Sequence, residues 1–258
     1  MAKLFNNIRK KLISDKPSTT RNANYLKYAI GEIILVVIGI LIALSINNWN
    51  QQRIQNKEEQ LALINLKQDF EYNHRTLDSI LTETINNIET QFLILKHTGN
   101  KTEPIKKDEF NKALNVLADL NEFYPRNGYL DDLVNSGKLG IIRNQKLRNR
   151  LSSWKPTFNF IKSREGELEK ARDRVSTMVI KRGSWLNADA VSAEETVKNN
   201  TFPKSGFDID NRDLLNELEF ENNTENIIYQ NDKLTQGHKK GLLLIAEILE
   251  LIEKEIKK

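Results

Sequence analysis

The stretch that decides the fold is KYAIGEIILVVIGILIALSINNWN, residues 27–50. Residues 28–46 contain only one charged side chain, Glu32. A helix of nineteen residues covers roughly 28 Å, at about 1.5 Å per residue, which is close to the hydrocarbon thickness of a bilayer. Buried helices of soluble proteins rarely run this long without a polar face. We therefore predict a transmembrane helix over residues 25–48, with Tyr25, Tyr28 and Trp49 as its anchors at the two interfaces.

The net charge of +4 is divided unevenly along the chain. Residues 1–28 carry a net +6, whereas residues 33–258 carry a net −1. The basic side chains that precede the apolar stretch are Lys3, Arg9, Lys10, Lys11, Lys16, Arg21 and Lys27. By the positive-inside rule, the N-terminus stays in the cytoplasm and residues 49–258 lie outside, in the periplasm of a Gram-negative cell.

Two points about the N-terminal region stay open. Residues 1–24 fit a basic amphipathic arm that lies on the anionic inner leaflet, but the same charges could serve only to set the topology. Ala43-Leu44-Ser45 fits the small-residue pattern of a signal-peptide cleavage site. We favour an uncleaved signal anchor, because the arm is long for a signal peptide and the helical pattern continues past this site.

Composition excludes several classes of protein. The chain has no cysteine, so disulfide scaffolds, thiolate zinc sites and cysteine nucleophiles are absent. The nearly neutral body lacks the basic excess of a nucleic-acid-binding domain. His74, His97 and His238 are scattered, and no phosphate-loop or serine-nucleophile motif occurs. We expect no metal, no cofactor, no nucleic acid and no enzymatic activity.

The body reads as helices, since glycine and proline are scarce, with 11 and 5 residues. After the apolar stretch, a stripe with helical spacing predicts a continuing helix; its residues are Leu63, Leu66, Phe70, Leu77, Ile80 or Leu81, Ile85, Ile88, Phe92 and Leu95. Further helices are predicted over residues 108–121, 129–136, 144–154, 157–182 and 212–257, with irregular segments near 98–107, 122–156 and 183–211. The predicted fold is all-α: one transmembrane helix continues into an elongated extracytoplasmic helical bundle.

Two sets of residues are candidates for contacts with partners. Glu32, Gly39 and Ala43 share one face of the apolar helix, and the small residues of that face would let a second helix approach closely. Alternatively, Glu32 only reaches the headgroups and pairs with Lys27 or a lipid amine. The aromatic residues of the less regular part predict either a minor core or a recognition surface; the candidates for recognition are Tyr124, Tyr129, Trp154 and Trp185.

Two motifs carry a resemblance to a known family. Residues 27–50 resemble the N-terminal signature of an uncharacterised family of single-span membrane proteins of Gram-negative bacteria. YLDDLVNSGKLGIIRNQKLRNRLSSW, residues 129–154, is similar to an internal segment of the same family. The sequence departs from the pattern at Gln51 and Gln52, where an acidic residue is expected. The resemblance implies an anchor in the cytoplasmic membrane and an external helical domain, with no assigned activity.

We expect a single-pass inner-membrane protein whose periplasmic domain binds another envelope component, organises a complex or associates with itself. A helical sensory module that acts through a separate transducer is the first alternative. The second is an accessory subunit of ion-driven envelope machinery that uses Glu32.

Overall fold

A computed structural model describes residues 21–99, 104–191 and 202–256, and it describes side chains from Lys27 onward. In these ranges the chain forms helices and no strand. The α-helices are α1 (Arg21–Lys96), α2 (Lys107–Ala118), α3 (Gly128–Asn135), α4 (Gln145–Arg182), α5 (Trp185–Asp189) and α6 (Leu218–Glu255). Two 3-10 helices cover Lys138–Ile141 and Asn211–Asn216. The predicted all-α fold is confirmed.

The chain divides into two compact units, Met1–Lys57 and Glu58–Lys258. In the first unit, the structure describes only the N-terminal part of α1, which runs from Arg21 as one uninterrupted helix. Most of this part is exposed, including all of its large apolar side chains from Tyr28 to Ile54. The predicted arm over residues 1–24 lies outside the described residues up to position 20.

The second unit is built on three long helical segments: α1 from Glu58 onward, α4 and α6. Lys67 of α1 pairs with Glu253 near the end of α6 at 3.1 Å, so these two helices are antiparallel. Arg150 near the start of α4 pairs with Glu247 at 2.8 Å, which makes α4 antiparallel to α6 as well. The segment from 104 to 142, which includes α2 and α3, packs against α1 and α4.

Side-chain amides and carboxylates hold the non-helical parts of that segment. Asn73 of α1 accepts from the backbone N–H of Arg126 at 2.7 Å and donates to the backbone carbonyl of the same residue at 3.0 Å. Glu165 of α4, which is buried, accepts from the N–H of Phe123 at 2.9 Å. These bonds satisfy backbone groups that would otherwise be buried without partners.

The core continues through the segment that we expected to be irregular. Trp154 is only 1% exposed, and its ring lies edge-on to Phe70 at 5.5 Å and to Phe123 at 6.3 Å between centroids. Within the less regular region 122–156, the helices predicted over 129–136 and 144–154 are present as α3 and the first part of α4.

The break that we predicted at Pro156 is absent, since α4 passes through this residue without ending. Proline removes one helical hydrogen bond, the one to the carbonyl of Ser152. Both Pro156 and Ser152 are exposed, so water can satisfy the freed carbonyl. The buried neighbours Leu151 and Trp154 hold the helix on both sides of the lost bond.

Gly137 ends α3 with a φ of 69°, in the left-handed region where glycine is favoured. Other boundaries differ by a few residues. The helix expected over 212–257 divides into a 3-10 helix and α6, and α5 forms inside the loop expected over 183–211.

The stripe predicted on α1 changes register after Ile80. From Leu63 to Ile80 the predicted residues are buried. Beyond Ile80, the buried residues are Thr84, Gln91, Ile94 and Thr98. Ile85 and Phe92, which we expected in the core, are 39% and 49% exposed. The stripe prediction is wrong here because polar residues of α6 face this part of α1, as described below.

Candidate membrane span and bundle surface

The apolar part of α1 is a helix long and apolar enough to cross a membrane, judged by length and composition, and its most apolar window is fully exposed. This exposure distinguishes it from the core helix of a soluble protein, which buries such residues in its own fold. Trp49 is 64% exposed at one end of the segment, and the guanidinium of Arg53 lies 5.6 Å from its ring centroid. Tyr28 is exposed at the other end.

The residues of the predicted packing face lie on this apolar helix. Glu32, Gly39 and Ala43 are exposed, and nothing lies within 4 Å of a Cβ added at Gly39. Lys27, the last cation before the segment, is also exposed. Several predicted residues lie outside the part of the chain whose side chains are described; they are Lys3, Arg9, Lys10, Lys11, Lys16, Arg21 and Tyr25.

The four aromatic residues proposed for recognition differ in their exposure in the structure. Trp154 belongs to the core, so recognition is wrong for this residue and the alternative of a minor core is the correct one. Tyr129 is partly buried and packs against the core. Tyr124 is 67% exposed. Trp185 is half-buried and lines a groove of about 700 Å³ with Val116 of α2 and with Asp119, which follows α2.

Tyr124 lies among charged groups. Its hydroxyl donates to Glu122, and the ammonium of Lys162 is 4.8 Å from its ring centroid. Lys162 also pairs with the buried Glu165 at 2.6 Å and with Glu122 at 3.5 Å. Burial lowers the pKa of Lys162, but the hydrogen bonds and charges of these two acids outweigh this effect, so its pKa is raised. Lys162 therefore stays charged and is a fixed part of this surface.

Sequence reasoning missed a set of buried polar residues between α1 and α6. Asn231 of α6 donates to Gln91 of α1 at 3.0 Å, and both side chains are buried. In an antiparallel helix pair with this register, Thr84 lies level with His238, and Thr98 lies level with Thr224. All four of these side chains are also buried. The two helices thus share two polar layers, seven residues apart, and Thr98 adds a third layer just after the end of α1. We call these six residues the polar seam.

His238 is the most unusual member of the polar seam. It is fully buried, and neither ring nitrogen has a hydrogen-bond partner among the residues that the structure describes. Burial lowers its pKa to about 4, because the charged imidazolium would lose its hydration. His238 is therefore neutral at physiological pH. A heptad spacing of polar residues on both helices is the signal by which the sequence could have revealed this seam.

No group of three or more His, Asp and Glu side chains in the described ranges could hold a metal ion. His74 lies ten residues from Thr84, the residue that is level with His238, which corresponds to about 15 Å along α1. The histidines at 74 and 238 are therefore not brought together.

Searches of curated proteins and of solved structures find no match to this chain. A family model, described as a family of unknown function, matches residues 32–199, about two thirds of the chain. The match starts at Glu32 within the apolar segment and includes the internal motif at residues 129–154. The chain therefore belongs to DUF6090, a family of unknown function.

Proposed function

We propose that this protein is a single-pass protein of the bacterial inner membrane that acts by binding, not by catalysis. In this proposal, the arm before the apolar segment is cytoplasmic, and the unit Glu58–Lys258 is periplasmic. There it binds another envelope component or a second copy of the chain. The observation that carries the proposal is the complete exposure of the most apolar window of α1. In water, an exposed apolar surface of this size would be strongly unfavourable, whereas lipid covers it without cost.

The charges around the segment support the proposed orientation. Seven basic side chains and one acid precede it within residues 1–28, whereas the residues directly after it are mostly Asn and Gln. The proposed role as a binding protein is supported by the solvent-exposed aromatic Tyr124 and by the half-buried Trp185. Exposed aromatic residues are frequent among the residues that dominate protein interfaces.

The test of the membrane proposal uses the absence of cysteine. A Lys3→Cys chain and an Asn222→Cys chain each carry one thiol, and Asn222 is exposed on α6. A membrane-impermeant maleimide added to spheroplasts should label Asn222→Cys at once and Lys3→Cys only after permeabilisation. The chain should also stay with the membrane after carbonate washing. Labelling in the opposite order refutes the orientation, and extraction by carbonate refutes the anchor.

The intact mass of the membrane-bound chain tests whether the segment is retained. An uncleaved anchor gives the full mass of 29.9 kDa. Cleavage after Ala43 or Ser45 would give a chain shorter by more than forty residues and would refute the anchor.

The proposed binding role is tested by chemical crosslinking in intact cells, followed by purification of the full chain. A stoichiometric crosslinked protein, or a crosslinked second copy, supports the proposal. A chain that yields only uncrosslinked monomer under conditions where known envelope complexes crosslink contradicts it.

A further inference from the structure

Two cations follow the apolar segment of α1 on the same side of the helix as Trp49. Arg53 and Lys57 are the only charged residues between Glu32 and Glu58. A step of four residues turns a helix by only about 40°, so Trp49, Arg53 and Lys57 share one face. All three side chains are exposed. We call these three residues the basic face.

The guanidinium of Arg53 is directed back toward the apolar segment. It lies 5.6 Å from the ring centroid of Trp49, and its Nη2 donates to Oδ1 of Asn50 at 3.3 Å. Side chains on a helix lean toward its N-terminus, which explains this direction. In the described part of the chain, no acidic residue pairs with Arg53. Most of its five N–H donors are therefore available to an external acceptor.

Trp49 indicates the depth of this guanidinium in a bilayer. In the proposed topology the apolar segment ends at Ile46, so Trp49 lies at the edge of the hydrocarbon. The headgroups occupy about 5–8 Å on each side of the hydrocarbon core. The backbone of Arg53 lies about 6 Å beyond that of Trp49 along the helix, and its side chain leans back. The guanidinium therefore lies in the headgroup layer, which contains the lipid phosphates.

We propose that Arg53, positioned by Trp49 and Asn50, binds the phosphate of an anionic phospholipid. This inference rests on the proposed function, since it requires the apolar segment to lie in a bilayer. It does not depend on the orientation of the chain, because phosphates line both surfaces of a bilayer. Arginine suits this ligand, since its planar guanidinium donates two parallel N–H bonds to a phosphate.

The charge around Arg53 favours an anionic lipid over a zwitterionic one. A zwitterionic headgroup carries its own cation beside the phosphate, and this cation is repelled by Arg53 and Lys57. Lys57 lies one turn farther from the apolar segment and adds to the attraction of an anionic headgroup. A positioned guanidinium binds the lipid at one place on the helix, whereas diffuse positive charge attracts it equally on all sides.

The test measures how strongly lipids quench Trp49 in the full-length chain. Nanodiscs of phosphatidylcholine receive a small fraction of either brominated phosphatidylglycerol or brominated phosphatidylcholine, and bromine quenches only a nearby indole. Each chain is compared with its own Trp49→Phe version, so that the difference removes the signal of all other tryptophans. We expect the brominated phosphatidylglycerol to quench Trp49 about three times as strongly as the brominated phosphatidylcholine, because cations at the surface enrich anionic lipid beside them.

Two variants separate a positioned arginine from diffuse charge. In Arg53→Gln, the preference for phosphatidylglycerol should disappear. The matched control combines Gln51→Arg with Arg53→Gln. It keeps the net charge but places the arginine on the opposite side of the helix from Trp49, at another exposed position. We expect this chain to lose most of the preference too, and an unchanged preference in either variant overturns the inference.

Inorganic phosphate offers the same chemistry from a soluble source. Added to nanodiscs that contain brominated phosphatidylglycerol, it should quench or restore no more Trp49 fluorescence than chloride does at equal ionic strength. A preference that is abolished by phosphate but not by chloride would assign Arg53 to soluble phosphate and would overturn the inference.

The same measurement distinguishes the failure of this inference from that of the proposed function. If neither brominated lipid quenches Trp49, the indole does not lie at a bilayer, and both proposals are overturned. If both lipids quench it equally, the anchor stands and only the phosphate site is overturned.

Discussion

At the scale of single residues, His238 makes the stability of the bundle depend on pH. Its pKa of about 4 in the folded protein lies below the ordinary value of 6.5. Between these pH values the unfolded chain binds a proton that the folded chain does not, so the folded state loses stability as the pH falls through this window. Above pH 6.5 the full contribution is retained.

We predict that His238→Leu weakens this pH dependence. Between pH 7 and pH 5, the variant should lose about 2 kcal/mol less unfolding free energy than the natural chain, since its side chain does not titrate. Urea unfolding followed by circular dichroism at the two pH values measures this difference. His74→Leu is the control, because His74 is only half-buried and lies away from the seam. Equal pH dependence in His238→Leu and the natural chain would contradict the prediction.

Gly241 lies where α6 packs closely against two neighbouring helices. A Cβ added there would lie 3.0 Å from Cδ2 of Leu77 on α1 and 3.1 Å from Cδ1 of Ile161 on α4. Gly166 on α4 has nothing within 4 Å of the same added atom. Gly241 is therefore needed for close packing of the helices, whereas Gly166 is not.

We predict opposite effects of leucine at these two positions. Gly241→Leu should lower the unfolding free energy by about 2 kcal/mol or more, because the larger side chain forces three helices apart. Gly166→Leu should raise it by about 0.5–1 kcal/mol through its better helix propensity. Chemical denaturation measures both values. A loss of stability in both variants would contradict the prediction that the free space beside each glycine decides the sign of the effect.

At the scale of helices, Pro156 is tolerated inside α4 and not required there. It is exposed, so its side chain contributes little to packing. We predict that Pro156→Ala raises the unfolding free energy by about 1–2 kcal/mol, because it restores a helical hydrogen bond. Part of the gain is offset, since alanine makes the unfolded chain more flexible than proline does. Thermal and chemical unfolding measure the change.

The control for this prediction is the exposed neighbour Lys155. Lys155→Ala should change stability by less than about 0.5 kcal/mol. If Pro156→Ala is no more stable than the natural chain, the proline has a structural role that its exposure does not indicate.

The helices show which parts of the fold the sequence pattern determines. On α6, Phe220, Ile227, Leu234, Ile245 and Ile252 are buried, because an amphipathic stripe specifies its own face. On α1, the more apolar of two available stripes is left outside after Ile80. Which stripe is buried depends on the polar residues of α6, and the sequence of α1 alone gives no information about them.

The candidate sites were predictable to different degrees. The apolar segment follows directly from the composition of residues 28–46. The sequence left Trp154 open between a minor core and a recognition surface, because its burial depends on the distant Phe70 and on Phe123. The roles of Asn73 and Glu165 were also hidden, since one amide or carboxylate on a helix looks like any other until the segment that it binds is known.

At the scale of the whole molecule, the bundle unit has a core of its own. Its buried side chains come from α1 after Glu58, the segment 104–142, α4 and α6. We predict that residues 58–258 fold without the apolar segment and stay monomeric at about 10 µM. The apolar stripe that this unit exposes on α1 around Ile85 and Phe92 is smaller than a stable interface needs. Circular dichroism and light scattering test the two parts of this prediction.

Two results would contradict that prediction in different ways. An unfolded fragment would show that the bundle depends on the first unit. A stable dimer in solution would show that a surface of the bundle unit associates without help from the membrane.

The first and last residues of the bundle unit lie close together in space. The amide of Gln60, near the start of this unit, donates to the backbone carbonyl of Glu255 at 3.0 Å. A short Gly-Ser linker could therefore join position 256 to position 58, and the chain could be cut open elsewhere to give a circular permutant with the same helices. Such a rearranged chain would reveal whether the order in which the helices are synthesised matters for their assembly.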